Sequence, residues 1–183
     1  MCLSYFGKVV YGILIFITLG ITAVALFTPG WRHFSKKDSD KEGYIGLVDG
    51  CKFPDENEAS CDKWWDDRPK WEQAAKTFFY LAMALEIIAL GWIGMSYILC
   101  CFHKRFMHVL PLWSVLITAF LVAGLAIFYG KYKNDAGLIT DNSSYEKLEP
   151  GYSATIMDAA CGLALISIAL AVTTSFFADR TCC

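Results

Sequence analysis

Residues 109–130 read VLPLWSVLITAFLVAGLAIFYG, and no charged side chain interrupts them. A helix needs about 20 apolar residues to cross the hydrocarbon core of a bilayer. Three further stretches of this kind occupy residues 9–28, 77–101 and 153–178. Only two formal charges, those of Glu86 and Asp158, lie inside the four stretches. Each helix of a soluble bundle would show a polar stripe, so the sequence predicts an integral membrane protein with four transmembrane helices.

The composition of the whole chain agrees with this class. Hydrophobic residues make up 56% of the 183 residues, whereas soluble domains usually contain about 45–50%. The formal net charge is −2, so the chain lacks the basic excess with which proteins bind nucleic acids. The lipid bilayer is therefore the expected surrounding of the chain, and no nucleic-acid partner is expected.

The residues that flank the spans predict an orientation. The tails and the turn at residues 102–108 contain basic residues, which favour the cytoplasmic side. These are Lys8, Lys104, Arg105 and Arg180. Asn142 opens an Asn-Ser-Ser acceptor for N-glycosylation, which is usable only on the lumenal side. We therefore expect a multi-pass plasma-membrane protein with both termini in the cytoplasm and extracellular loops at about residues 29–76 and 131–152.

Large aromatic side chains gather near the ends of the spans. A belt of Trp and Tyr is typical of the membrane–water interface, so we expect one belt on each side. The outer belt would contain Trp31, Trp71, Tyr80, Tyr129, Tyr132 and Tyr152, and the inner belt Tyr5, Tyr11, Tyr97, Trp113 and Phe177.

The eight cysteines separate by location. Cys51 and Cys61 lie in the first extracellular loop, where an oxidising compartment would pair them. Five others lie at the cytoplasmic membrane edge and are candidates for S-palmitoylation. These five are Cys2, Cys100, Cys101, Cys182 and Cys183. Cys161 lies within the fourth span and is expected to be a small packing residue.

The first loop contains enough structure-forming residues to predict a small folded lobe. Residues 43–48 read GYIGLV and predict a short strand, and Asp49-Gly50 predicts a turn after it. From Trp71 onward the pattern is helical and continues into the second span.

Several of these residues stand in the order of a known signature. Trp31, Gly46-Leu47, Cys51 and Cys61 resemble the signature of the claudin superfamily, in which a Trp and a Gly-Leu-Trp precede two cysteines. Three further segments resemble the entries and interiors of the later claudin spans: QAAK at 73–76, FLVAGL at 120–125 and EPGYS at 149–153. The chain is identified as a member of this superfamily, which includes claudins, peripheral myelin and epithelial membrane proteins, and calcium-channel gamma subunits.

The resemblance implies a single claudin-like domain over residues 1–183. It would be a left-handed bundle of four transmembrane helices with a small extracellular antiparallel β-sheet, stapled by Cys51–Cys61. Most strands would come from the first loop and one from the second. Closely packed membrane helices need small residues at their contacts. The candidate pairs are Ala119/Ala123, Ala160/Ala164 and Gly91/Gly94.

The resemblance implies two alternative functions. The first is a cell–cell junction or adhesion protein that self-associates in cis and in trans and forms or regulates a paracellular barrier or pore. The second is an auxiliary, gamma-like subunit of an ion channel or receptor. Val48 stands where the signature has its second Trp, and the short tail ends in Cys182-Cys183 rather than in a Tyr-Val-like PDZ ligand. These departures fit an invertebrate claudin-like protein, and they keep the second function open.

In the junction hypothesis the working surface lies in the first loop. It would include Trp64, Trp65, Asp66, Asp67 and Arg68. Adjacent large aromatics in a polar loop indicate contact with protein or lipid. Carboxylates on a narrow pore wall favour cations, because they repel anions at short range. The alternative is that these charges form a solvated rim.

No set of residues indicates an enzyme, and no cofactor or metal is expected. His33 lies on the predicted outer side, whereas His103 and His108 lie on the inner side, so a Ser-His-Asp set is not available. The sequence also contains neither a Cys-x-x-Cys nor a Gly-rich phosphate loop.

Glu86 and Asp158 are the two intramembrane polar residues that need an explanation. Glu86 lies near the middle of the second span, where a charge is costly and often marks function. It either hydrogen-bonds a facing Ser or Thr or couples to a partner helix, and the first interpretation is preferred. Asp158 lies nearer the outer end of the fourth span.

Overall fold

The computed structural model describes residues 3–36, 39–48, 50–52, 69–98, 109–132 and 145–180. Four long helices dominate these residues. They are α1 (Leu3–Phe27), α2 (Lys70–Ile98), α3 (Leu110–Lys131) and α4 (Tyr152–Arg180). Each contains a stretch that is long and apolar enough to cross a membrane. The prediction of four helices of membrane-spanning length is confirmed.

Two of the helices begin earlier than the predicted spans. α1 begins at Leu3 and α2 at Lys70, so the end of the predicted first loop belongs to α2. Glu72 supplies an acidic side chain in the first turn of α2, where the helix dipole favours a negative charge. Pro111 lies in the first turn of α3, where a missing N–H costs no helical hydrogen bond.

The helices form a ring in which each packs mainly on two neighbours. α1 packs on α4 and α2, and α3 packs on α2 and α4. α2 and α4 consequently occupy opposite corners of the ring. Ile15, Phe79 and Ile117 are fully buried inside it, whereas Phe16 and Val122 are exposed on its outer surface. An apolar outer surface around an apolar core is the arrangement that a lipid solvent allows.

The predicted small-residue contacts are right for one pair of residues. Ala160 and Ala164 are both fully buried in the core. The spacing of residues along a helix identifies those that share a face, but it does not say which face meets a neighbouring helix. For this reason three of the other candidates are exposed instead: Ala119, Gly91 and Gly94.

A four-stranded antiparallel sheet, which we call the lobe, lies at the end of the bundle where α1 ends and α2 begins. Its strands are β1 (Arg32–Lys36), β2 (Ser39–Ile45), β3 (Cys51–Lys52) and β4 (Tyr145–Pro150). Their order in the sheet is β3-β2-β1-β4, and each neighbouring pair is antiparallel. Three strands thus come from the segment between α1 and α2 and one from the segment between α3 and α4, as the resemblance implies.

The strand predicted at residues 43–48 is placed too far along the chain, since β2 ends at Ile45. Gly46 leaves the ladder and donates its N–H to the carbonyl oxygen of Gly50 at 2.8 Å, which closes a turn. Gly50 has a φ of 81°, a left-handed conformation that glycine adopts without steric cost. The turn predicted at Asp49-Gly50 is therefore present at Gly50, while Asp49 lies outside the described residues.

Two glycines bring the lobe into direct contact with the bundle. Gly151 joins β4 to α4 and donates its N–H to the carbonyl oxygen of Trp31 at 2.9 Å. The N–H of Ser153 reaches the carbonyl oxygen of Gly30, also at 2.9 Å. A Cβ on Gly151 would collide with the Gly30 carbonyl oxygen, and one on Gly30 would collide with the Tyr152 ring. The two backbones can approach this closely only because both positions lack a side chain.

Substituting Gly151→Ala should destabilise the protein, because the backbone must shift to relieve the collision with Gly30. We expect a loss of about 1–3 kcal/mol in the free energy of unfolding. Gly91→Ala is the matched control, since it adds the same methyl group in open space and should leave stability unchanged or slightly higher. Thermal unfolding of both purified variants in detergent micelles, followed by tryptophan fluorescence, measures the difference. Equal melting temperatures would show that the junction tolerates a side chain.

Candidate functional site at the lobe junction and within the membrane

Trp31 lies beneath the lobe and is only 1% exposed. Its indole Nε1–H donates to the carbonyl oxygen of Ala25 at 2.7 Å, one of the last carbonyls of α1, which lack a helical partner. Its ring centroid lies 5.2 Å from that of Phe79 and 5.1 Å from that of Phe128. Trp31 therefore connects α1, α2 and α3 to the start of β1. The prediction that it belongs to the outer interfacial belt is wrong.

Tyr132, which is 8% exposed, is another exception to the predicted belts, and Tyr11 is a third. Tyr11 is fully buried, and its hydroxyl lies 2.8 Å from the Ser114 hydroxyl, which connects α1 to α3 across the ring. Tyr129 and Tyr152 are exposed, as the belt prediction requires. Both lipid-facing and buried aromatic residues occur near the ends of spans, so sequence position alone does not distinguish them.

The Gly-Leu part of the sequence signature also lies at the junction. Leu47 is 1% exposed and belongs to the same core cluster as Trp31. Val48 is half-buried and packs against that cluster. Cys51 lies in β3, where its backbone pairs with Ile45. Cys61 lies outside the described residues, so the Cys51–Cys61 disulfide remains a prediction.

A buried ion pair connects the lobe to α2. The Nη2 of Arg32 lies 3.3 Å from Oε2 of Glu72, and each side chain is 2% exposed. The Arg32 guanidinium also lies over the Trp71 ring, 5.0 Å from its centroid. Removing one member of an ion pair that is buried away from water is strongly destabilising, because the other charge has then been desolvated without its opposite charge. This pair is not among the contacts predicted from the sequence.

Glu86 is fully buried within the bundle. The hydroxyl of Thr22 on α1 donates to its Oε1 at 3.2 Å. Among the described residues, no hydrogen-bond partner reaches its other oxygen, Oε2. Thr22 is thus the facing hydroxyl, and the buried position of Glu86 gives a partner helix no direct access to it.

Asp158 has the opposite placement, because it is exposed on the outer surface of the bundle. Tyr129 on α3 donates its hydroxyl to Oδ2 of Asp158 at 2.6 Å. The two residues form a polar group on the groove between α3 and α4. The structure therefore separates the two intramembrane carboxylates, because Glu86 faces the interior of the bundle and Asp158 lies on its outer surface.

The structure thus contains four membrane-length helices and a lobe with three strands from one loop and one from the other. Trp31 is buried at the junction between the lobe and the helices. The whole chain, residues 1–183, matches a family model described as tight junction protein, claudin-like. The chain belongs to the claudin-like family. A search of curated proteins found no match to this claudin-like chain. Membership makes it a claudin-type junction protein or a related membrane protein, in a family that is structural rather than enzymatic.

Several predicted site residues of this claudin-like chain lie outside the described residues. They are the contact residues Trp64, Trp65, Asp66, Asp67 and Arg68, the glycosylation acceptor Asn142, and the palmitoylation candidates Cys2, Cys100, Cys101, Cys182 and Cys183. Cys161 is described and is buried in the core. In the described part of the chain, no three His, Cys, Asp or Glu side chains form a group that could hold a metal ion.

The residues that the sequence analysis missed are Arg32, Glu72 and Tyr129. A signal for the first two was present, because Arg32 directly follows the signature Trp31 and Glu72 directly precedes the QAAK segment. Nothing in the sequence indicates that Tyr129 faces Asp158, since that contact depends on the register between two helices.

Replacing one partner of the buried ion pair, in Arg32→Met or Glu72→Met, should lower the free energy of unfolding by about 3–5 kcal/mol, because the remaining buried charge loses the opposite charge 3.3 Å away. The double variant should recover a large part of this loss. Chemical unfolding of the four proteins in mixed micelles gives the coupling energy between the two sites. Additive effects of the two substitutions would mean that the contact between Arg32 and Glu72 does not stabilise the lobe.

Substituting Thr22→Val should also destabilise the claudin-like bundle, by about 1–3 kcal/mol, because it deprives the buried Glu86 of its hydrogen-bond donor. Thr173→Val is the matched control, since Thr173 is exposed and its hydroxyl bonds only the Ala169 carbonyl oxygen of its own helix. Melting temperatures of the two variants in the same micelles provide the comparison. If both melt alike, the Thr22–Glu86 hydrogen bond contributes nothing.

Proposed function

We propose that this chain is a cell–cell junction protein of the plasma membrane that forms or regulates a paracellular barrier or pore. The match to the claudin-like family over residues 1–183 is the observation on which the proposal rests. The attachment of the lobe supports it. Three consecutive residues at the base of β1, Gly30, Trp31 and Arg32, connect the lobe to three different helices, α4, α1 and α2. A lobe that meets a partner across a gap must hold a defined position on its own membrane anchor.

The proposed orientation places the lobe outside the cell and both termini in the cytoplasm. In this orientation Asn142 is accessible to glycosylation, and Cys51 and Cys61 lie in an oxidising compartment that pairs them. The disulfide would fasten β3, which contains Cys51, to the following segment. The five cysteines at the opposite end, Cys2, Cys100, Cys101, Cys182 and Cys183, would be acylated and would hold the tails against the inner leaflet.

The proposed contact surface comprises residues 64–68, which precede α2 directly in the sequence. Trp64 and Trp65 supply the apolar area that protein contacts usually require. Asp66 and Asp67 supply negative charge, which favours cations if the surface lines a narrow path. Self-association in trans would use this surface, and self-association in cis would use the bundle. Together they would seal the space between two cells or select the ions that pass through it.

The proposal is tested by expressing the tagged chain in cells that lack adhesion, mixed with cells that do not express it. The signal should concentrate at borders between two expressing cells and not at borders with a non-expressing cell. Trp64→Ala/Trp65→Ala should abolish that enrichment while leaving delivery to the plasma membrane intact. Trp92→Phe, a conservative change inside the bundle, is the control for substitution of a tryptophan. Uniform membrane signal for the unmodified chain would overturn the junction proposal.

The second candidate function is that of an auxiliary subunit of an ion channel or receptor. Val48 favours it, because a half-buried valine occupies the place of the second signature Trp. Uniform membrane signal together with stoichiometric co-purification of a channel would support this function over the junction.

A further inference from the structure

Two charged side chains on the outer surface of the bundle, Lys76 and Asp158, have no ion-pair partner among the described residues. Lys76 is half-buried on α2, with Nζ 5.9 Å from the centroid of the Tyr80 ring. Asp158 is exposed on α4 and is hydrogen-bonded only to Tyr129 in the described part of the chain. A charge near the outer end of a span is partly removed from water and is stabilised by an opposite charge, so each of these side chains is expected to attract a counter-charge from outside the chain.

The two side chains lie at nearly the same height in the bundle. The Phe128 ring on α3 lies 6.3 Å from the Trp71 ring, and the Trp31 ring packs against both Phe128 and Phe79. Phe128 is therefore level with the part of α2 between Trp71 and Phe79, which contains Lys76. Tyr129, the next residue on α3, is the hydrogen-bond partner of Asp158, so Lys76 and Asp158 lie at similar heights in the bundle.

The two side chains also lie on opposite sides of the ring. Lys76 is on α2 and Asp158 is on α4, and these helices occupy opposite corners because each packs between α1 and α3. Phe27 on α1 flanks the Lys76 side through its contact with Tyr80. Tyr129 on α3 flanks the Asp158 side. One copy therefore presents a cation on one side and an anion on the other.

The membrane makes these two sites meet between copies. All copies of a membrane protein share one orientation and one depth, so groups at equal height on opposite sides face each other when two copies lie side by side. The surface around Asp158 permits a close approach, because Ala159 and Gly162 beside it are exposed. A Cβ built on Gly162 would meet no described atom within 4 Å, apart from its chain neighbours and the backbone of its own helix.

We propose that Asp158 of one copy forms an ion pair with Lys76 of a second copy in the same membrane. This inference rests on the proposed self-association and names the surface through which it occurs in cis. The contact joins two different faces, so it is heterologous, and each copy keeps one free Lys76 and one free Asp158 at the ends of the assembly. A heterologous contact that does not close into a ring continues as an open row.

Charge reversal tests the ion pair. Full-length chains with two different fluorescent tags are co-expressed in single isolated cells, and energy transfer between the tags measures association within one membrane. Asp158→Lys alone and Lys76→Glu alone should each lower association at least about tenfold, because like charges then face each other. Lys70→Glu and Glu149→Lys are the controls, since they reverse exposed charges at the lobe end of the bundle and should leave association unchanged.

In the decisive samples, position 158 of one copy again faces an opposite charge at position 76 of the other copy. An Asp158→Lys chain mixed with a Lys76→Glu chain should associate, because the mixture contains both the original pair and the reversed pair. The double variant should associate with itself for the same reason. Failure of both samples, or association of the single variants at the unmodified level, would overturn the ion pair. Rescue by the mixture is possible only if both variants fold, so misfolding cannot imitate it.

The outcome is independent of the junction proposal. Isolated cells share no border with a neighbour, so their energy transfer reports only association in cis. Association in cis can therefore be present when enrichment at cell borders is absent, and it can be absent when that enrichment is present. Loss of association that the mixture does not rescue would mean that Asp158 meets a different protein, such as a basic side chain of a channel helix, and would overturn pairing between copies.

Discussion

Trp31 contacts the bundle with both its ring and its indole N–H, and the position of the lobe depends on these contacts. The ring packs against both Phe79 and Phe128, and the N–H donates to the Ala25 carbonyl oxygen, one of the last carbonyls of α1, which have no backbone partner within the helix. Arg32 follows directly and reaches Glu72 on α2. Two consecutive residues thus set the direction in which β1 leaves the membrane, and the other strands pair outward from β1 and take their direction from it.

Polar groups inside the bundle serve to specify its arrangement. In lipid the hydrophobic effect does not favour one neighbouring helix over another, so side-chain packing and interhelical hydrogen bonds determine which helices are neighbours. Thr22 with Glu86 fixes α1 against α2, and Tyr11 with Ser114 fixes α1 against α3. Tyr129 with Asp158 likewise joins α3 to α4, but on the outer surface of the bundle rather than inside it.

The sequence predicts the helices well because their apolar length alone distinguishes them from soluble helices, and the resemblance supplies the lobe. It fails where neighbouring elements decide the outcome. Trp31 has the residue type and the sequence position that are typical of an interfacial belt, but the lobe covers it. Gly91 and Gly94 have the spacing of a helix contact, but they lie on the wrong face. The strand at residues 43–48 is displaced because Gly46 turns toward Gly50 instead of extending the ladder. The partners Thr22 and Tyr129 depend on helix register, which no local pattern encodes.

The Gly30–Gly151 contact has a mechanical consequence. β1 leaves α1 and β4 enters α4 through this point with almost no intervening chain, and the two strands are hydrogen-bonded to each other. A pull on the lobe is therefore transmitted as tension along two helices that also pack on each other. The load is divided between them in parallel, and shearing one strand past the other would require breaking many hydrogen bonds at once.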